Sequence, residues 1–158
     1  MRCLAAMAVM FAAAAQAGHS SGFDPAAIDQ CLADAPDAIC ADAGMEACRA
    51  YVQDNHPDVA PVDRDLGCVD ASRQAWDAHL GRVYDRVVGL SAAQDADTEQ
   101  ALRQMERDWI TFRDARCAFD RLAFGGGTGG AVEQPRCLRD ETARHAALLS
   151  RYATELEP

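Results

Sequence analysis

Four side chains with binding or catalytic potential stand close together in the sequence, namely Trp109, Arg113, Asp114 and Cys117. Trp109 and Arg113 are four residues apart, so on a helix they share one face. There a guanidinium can lie against the indole, which stabilises by about 0.5–1 kcal/mol at an exposed site. A nucleophile needs a base within hydrogen-bond reach, and a cysteine in a disulfide is no nucleophile. The pattern therefore favours a contact between helices, or a partner surface, over catalysis.

The histidines, carboxylates and glycines give no pattern typical of an enzyme or a metal site. The histidines, at positions 19, 56, 79 and 145, show neither H-E-x-x-H nor H-x-x-x-H spacing. We interpret His79 as a solvated helix residue and His145 as an interhelical one. Acidic residues are so frequent that no pair indicates a glycosidase. The glycine-rich run 125–130 lacks the strand and the Gly-Lys-Ser/Thr of a phosphate loop, so we predict a flexible interhelical loop. The sequence predicts no catalytic residue, metal or cofactor.

The N-terminal segment predicts export, to the periplasm or out of the cell. Residues 1–17 hold one charge, an apolar run and a small-x-small ending, which is typical of a signal peptide cleaved near Ala17. Cleavage removes Cys3 and leaves six cysteines, an even number that predicts three disulfides in an exported domain. We predict the pair Cys117–Cys137, because it closes one interhelical loop and stabilises by about 3 kcal/mol. The remaining cysteines, whose pairing stays open, are Cys31, Cys40, Cys48 and Cys68.

Length and charge limit the function classes. About 141 residues after cleavage suit one domain with its own core. The formal net charge of the full chain is −10. Such an acidic surface disfavours nucleic acid and anionic membranes, keeps a protein soluble and favours cationic partners. No later segment approaches the roughly 20 apolar residues of a membrane span, so we expect no membrane insertion. Nothing in the sequence indicates the oligomeric state.

The rest of the chain shows helical periodicity and predicts an all-α fold. Asp24-Pro25 starts a short helix, and further helices are expected at about 42–53, 63–88, 91–124 and 136–155. The start at 91 comes from a capping box, Ser91 to Gln94. The apolar positions expected on the inner face of the fourth helix are Leu102, Met105, Trp109, Phe112, Phe119 and Leu122. We predict a disulfide-stapled antiparallel helical bundle of three long helices at 63–158, with an N-terminal helical cap at 18–62.

The segment from Cys68 to Leu149 resembles the lysozyme inhibitor LprI family. Three motifs carry the resemblance, and their matching residues are Asp77, Leu80 and Tyr84, then Gln104, Trp109, Arg113, Asp114 and Cys117, then Cys137, Leu138, Thr142 and Leu149. The chain departs from the family pattern at Gly81, where the family has Asn, and at His145, where it has Arg. The resemblance implies a small exported bacterial protein that binds and inhibits lysozyme. The motif residues would then hold the fold or form the partner surface.

A basic lysozyme is accordingly the expected partner, because an acidic protein gains association rate from electrostatic steering. Inhibition requires a protruding segment that blocks the substrate cleft, for which the candidates are residues 125–130 and 54–64. One alternative is a periplasmic structural or protein-interaction module with no lysozyme contact. Another is small-ligand binding in a cleft between cap and bundle.

Overall fold

The computed structural model describes residues 22–34 and 40–158, and it is all-α in those ranges. Its helices are α1 (Ala26–Asp34), α2 (Met45–Asn55), α3 (Pro61–Gln94), α4 (Ala96–Ala123) and α5 (Thr128–Glu155), with a 3₁₀ turn at Cys40–Asp42. The predicted fold class is confirmed, since α3, α4 and α5 form the antiparallel bundle and α1 and α2 cap it. The predicted signal peptide lies outside the described residues.

Helix α3 is longer than its predicted length because Ser91 continues it instead of starting the next helix. Ser91 is 2% exposed and lies on the buried face of α3, in line with Val87. The predicted capping box is therefore wrong. Asp95 is the N-cap of α4 instead, and its carboxylate accepts hydrogen bonds from the Thr98 amide at 2.7 Å and the Thr98 hydroxyl at 3.0 Å.

The glycine-rich segment is a helix end and a helix start, and not simply a flexible loop. Gly125 has φ +92°, and the amides of Gly125 and Gly126 donate to the carbonyls of Leu122 and Arg121. This is the Schellman arrangement that ends a helix with glycine. Helix α5 then begins at Thr128, eight residues before the predicted start at Arg136.

Close packing explains why α5 begins in a sequence rich in helix breakers. A Cβ on Gly130 would lie 2.1 Å from the carbonyl oxygen of Arg121 in α4, and a Cβ on Gly129 would lie 2.9 Å from that of Phe124. Only glycine allows the two backbones this approach. Pro135 lies within α5, so the packing also outweighs the usual cost of a proline in a helix.

The cap is closed by one disulfide and attached to the bundle by a second disulfide and by polar contacts. The disulfides are Cys31–Cys40 and Cys48–Cys68, and the second joins α2 to α3. His79 of α3 is not solvated as predicted, since its side chain is only 12% exposed. Its Nδ1 lies 3.2 Å from Asp29 of α1, and its ring meets Trp76 edge-on. Burial, with Arg82 nearby, lowers the pKa of His79 against the opposing effect of Asp29.

The inner face of α4 differs from the predicted one. Leu102 and Cys117 are buried and Met105 and Trp109 partly buried, but Phe112, Phe119 and Leu122 are 58%, 66% and 72% exposed. The observed seam combines apolar, charged and cysteine side chains at helical spacing, and these are Leu102, Glu106, Trp109, Arg113 and Cys117. At 3.6 residues per turn, Phe112 and Phe119 fall about a quarter turn off this seam. A prediction from hydrophobicity alone therefore placed Phe112, Phe119 and Leu122 wrongly on the inner face of α4.

Candidate functional site

Arg113 lies where all three long helices meet. Its Nη1 donates to Thr142 Oγ1 of α5 at 3.4 Å and lies 3.9 Å from Asp77 Oδ1 of α3. Thr142 is fully buried, and its hydroxyl donates to Asp77 at 3.4 Å. Arg113 also donates from Nε to Asp114 Oδ1 at 2.9 Å. Four motif residues are therefore brought together by α3, α4 and α5.

Trp109 joins this cluster because its ring contacts both Arg113 and His145. The Arg113 guanidinium carbon lies 4.9 Å from the Trp109 ring centroid. The His145 ring stacks on Trp109 with centroids 4.0 Å apart and planes at 7°. His145 Nε2 in turn lies 2.7 Å from Glu106 Oε2, and the side chains of His145 and Glu106 are 4% and 13% exposed. The predicted interhelical position of His145 is confirmed, whereas Glu106 was missed.

The other motif residues lie outside this cluster. Leu80 is buried in the core and Tyr84 packs against it. Gln104 is exposed on α4, where it accepts from Arg107 and donates to Asp108 at 2.9 Å. Leu138 is half-buried on α5. Cys117 and Cys137 form a disulfide that joins α4 to α5, with Cα atoms 5.4 Å apart.

A second polar network, which the sequence analysis missed, ties together the helix ends near the α4–α5 turn. Asp65 of α3 accepts from Arg49 of α2 at 2.6 Å and from Arg136 of α5 at 2.5 Å. Burial works to raise the pKa of Asp65, but hydrogen bonds from Arg136 and Arg49 outweigh it and the pKa lies below its ordinary value. The one feature of the sequence that could have indicated this network was the acidic Asp65 near the start of a helix.

Both segments predicted to protrude lie at this end of the bundle, because α2 ends and α3 begins where α4 ends and α5 begins. We call residues 54–63 and 119–130 together the turn end. It carries large exposed apolar side chains, with exposures of 39% for Val59, 47% for Val62, 66% for Phe119, 72% for Leu122 and 60% for Phe124. Asp54, Asp58 and Asp63 are also exposed there. The Asp65 network and the Cys117–Cys137 disulfide hold the two segments at one end.

The comparison with known families bears on the same helices. The family model described as Lysozyme inhibitor LprI matches residues 61–149, a range that runs from the start of α3 through most of α5. The chain belongs to the lysozyme inhibitor LprI family. The resemblance inferred from the three motifs is thereby confirmed, and the residues that surround Arg113 and Trp109 lie inside the matched range.

One relative of this LprI-family chain is an uncharacterized protein of Rhizobium meliloti (strain 1021). The two are 28% identical over 122 residues, which cover 68% of this chain and 87% of the relative. No solved structure matches the chain. The family departure at Gly81 falls on an exposed position of α3, where an added Cβ would meet nothing within 4 Å. The departure at His145 is buried and bonded, so the two departures differ in structural consequence.

Residues 22–34 and 40–158 contain neither a metal-binding cluster nor a membrane span. No group of three or more His, Cys, Asp or Glu side chains there could hold a metal ion. Nor is any helix in that part of the chain both long and apolar enough to cross a membrane. An open depression on the cap is lined by Asp42, Gly44, Glu46, Ala47 and Ala50. Its lining is small and acidic and offers no large apolar side chain to a ligand.

Proposed function

We propose that this protein is exported and binds and inhibits a basic lysozyme. The observation that carries the proposal is the match of the Lysozyme inhibitor LprI family across α3, α4 and most of α5. An inhibitor acts by binding, so the proposal requires a stable surface and no reacting group. The partly buried Arg113 and Trp109 contacts support such a surface by holding the helices in one arrangement.

Export is supported by the cross-links. Three disulfides staple the described part of the chain, and disulfides persist in oxidising compartments such as the bacterial periplasm or the extracellular space. The predicted cleavable segment at 1–17 points the same way. A periplasmic or secreted location is also where a protein meets lysozymes that attack the cell wall.

Charge supports the choice of partner. The formal net charge is −10, and many animal lysozymes are strongly basic. Opposite net charges raise the association rate and suppress acidic partners. The bulk charge does not locate the interface, so it supports the partner class and not a particular surface.

The motif cluster is proposed to support the fold and not to touch lysozyme. Arg113 is 19% exposed, and its contacts to Thr142 and Asp77 reach inward to the other two long helices.

A lysis assay tests the function itself. Purified protein in micromolar excess should slow the clearing of a cell-wall suspension by chicken-type or goose-type lysozyme. If neither enzyme is slowed, the inhibitor proposal fails. Capture of a reproducible cell-envelope protein would then favour the interaction-module alternative.

A further inference from the structure

We propose that the turn end, residues 54–63 and 119–130, is the surface that docks on the basic lysozyme, with an apolar centre and an acidic border. This inference rests on the proposed function and goes beyond it by assigning a surface. It starts from the exposed apolar residues of α4, which the bundle leaves without a partner.

The exposed apolar side chains of α4 form a stripe that runs toward the C-terminal end of the helix. Phe112 and Phe119 are two helical turns apart, and Leu122 follows one turn later, so the three lie on one side of α4. The stripe leads to Phe124 at the turn. Single exposed apolar residues are ordinary on a protein surface, but a contiguous patch marks an interaction site. Val59 and Val62 add apolar surface from the neighbouring segment at the same end.

The charges at this end select a cationic partner over a second copy of the chain. Asp54, Asp58 and Asp63 are exposed, and within the described part of the chain none of them forms an ion pair. Arg121 lies in the same region and Arg64 next to it, and both keep their positive charge. Arg121 donates to the neutral Gln134 at 3.1 Å, and Arg64 is half-buried. The three aspartates still outnumber these two arginines. Two copies of an acidic protein would bring like charges together, whereas a basic protein would neutralise them.

The end is also held rigidly, which favours binding because less order must be gained on association. The Schellman turn fixes residues 121–126, and Gly130 packs against Arg121. Asp65 fastens the other segment through Arg49 and Arg136. A rigid end with exposed apolar side chains suits a concave partner site such as a substrate cleft.

The test measures binding of the full chain to chicken-type lysozyme by surface plasmon resonance, separately from inhibition. Phe119→Ser with Leu122→Ser should weaken binding about tenfold, whereas Ile110→Ser, an exposed apolar change elsewhere on α4, should not. Asp54→Asn, Asp58→Asn and Asp63→Asn together should lower the association rate at low salt more than Asp85→Asn, Asp97→Asn and Glu155→Gln, which remove the same charge from exposed positions elsewhere. Circular dichroism checks that each variant folds.

The outcomes separate this inference from the proposed function. Lysozyme binding that is unchanged in the turn-end variants, or equally weakened in the controls, overturns the docking surface and leaves the function standing. Lysozyme binding without inhibition overturns the function, and the variants still judge the surface. No binding by the wild-type chain contradicts both. A wild-type dimer in sedimentation that Phe119→Ser with Leu122→Ser dissociates would mean that a second copy covers this end, and it would overturn the inference.

Discussion

His145 is held by two different contacts, a ring stack on Trp109 and a short contact from Nε2 to Glu106. His145→Ala would remove the stacking and leave the largely buried Glu106 carboxylate without its partner. We expect it to lower the free energy of unfolding by about 2–3 kcal/mol. Urea unfolding measures this effect.

A double-mutant cycle is the control for that prediction. Glu106→Ala combined with His145→Ala should cost less than the sum of the two single changes by at least about 0.5 kcal/mol, because both remove the same interaction. Strict additivity would show that the two side chains do not interact in solution.

Asp65 makes the stability of the fold depend on pH, and the lowered pKa of its carboxyl group sets the direction of that dependence. Its pKa is held below the ordinary carboxyl value of about 3.9, so the folded state favours the carboxylate. The stabilisation is complete above the unfolded-state pKa and is lost as the pH falls through the folded-state pKa. We expect Asp65→Asn to destabilise by about 1 kcal/mol near pH 7, since Arg49 and Arg136 are partly exposed.

The difference between wild type and Asp65→Asn should shrink as the pH falls below about 4, measured by denaturant unfolding at each pH. Asp63→Asn is the matched control, because Asp63 lies two residues away and is exposed. It should change stability by less than about 0.5 kcal/mol. A pH-independent loss in Asp65→Asn would contradict the role of the Asp65 charge.

At the scale of the elements, the approach of α5 to α4 depends on glycines, and the tightest contact is at Gly130. Gly130→Ala would place a Cβ 2.1 Å from the Arg121 carbonyl oxygen, and rigid backbone cannot give way cheaply. We expect a loss of about 1–3 kcal/mol in unfolding free energy. Gly81→Ala is the opposite case, since its Cβ meets nothing within 4 Å and alanine favours a helix interior.

Gly81→Ala should therefore raise the unfolding free energy by about 0.5–1 kcal/mol. Thermal unfolding of the two variants side by side compares glycines that both lie within helices. Equal effects of the same sign would mean that α4 and α5 do not pack at Gly130 as described.

These elements show which features local sequence can predict. Helix α3 was predictable because Val69, Trp76, Leu80 and Val87 recur at helical spacing, and all four are buried. The start of α5 was not, because Gly129, Gly130 and Pro135 disfavour a helix locally and the packing that offsets them is tertiary. The prediction of the inner face of α4 was wrong for a similar reason. Its seam is filled by paired polar groups such as Glu106 and Arg113, whose partners lie far away in the chain.

The candidate site divides in the same way. Trp109, Arg113, Asp77 and Thr142 were predictable as a group, because the family motifs that contain them are present in the sequence. Their mutual contacts follow from the order of three helices. Glu106 and Asp65 lie outside those motifs, and only the distances to His145 and Arg136 identify them. The turn end combines two segments more than 55 residues apart, so no local pattern could join them.

At the scale of the whole molecule, the described residues form an acidic bundle stapled by three disulfides, and most of their large exposed apolar side chains lie at one end. Of the eight large apolar side chains that are exposed among the described residues, five lie at the turn end, namely Val59, Val62, Phe119, Leu122 and Phe124. A structural module would gain nothing from leaving them uncovered. A binding protein that meets its partner by charge and then buries apolar surface would use them.

The most direct test of the central claim is inhibition of lysozyme by the purified, oxidised protein. Clearing of a cell-wall suspension by chicken-type lysozyme is followed while the protein is added up to micromolar excess. The account predicts that added protein slows the clearing. This inhibition should saturate with protein concentration and be weaker at high salt. Clearing that stays unchanged with chicken-type and goose-type enzymes alike would contradict it.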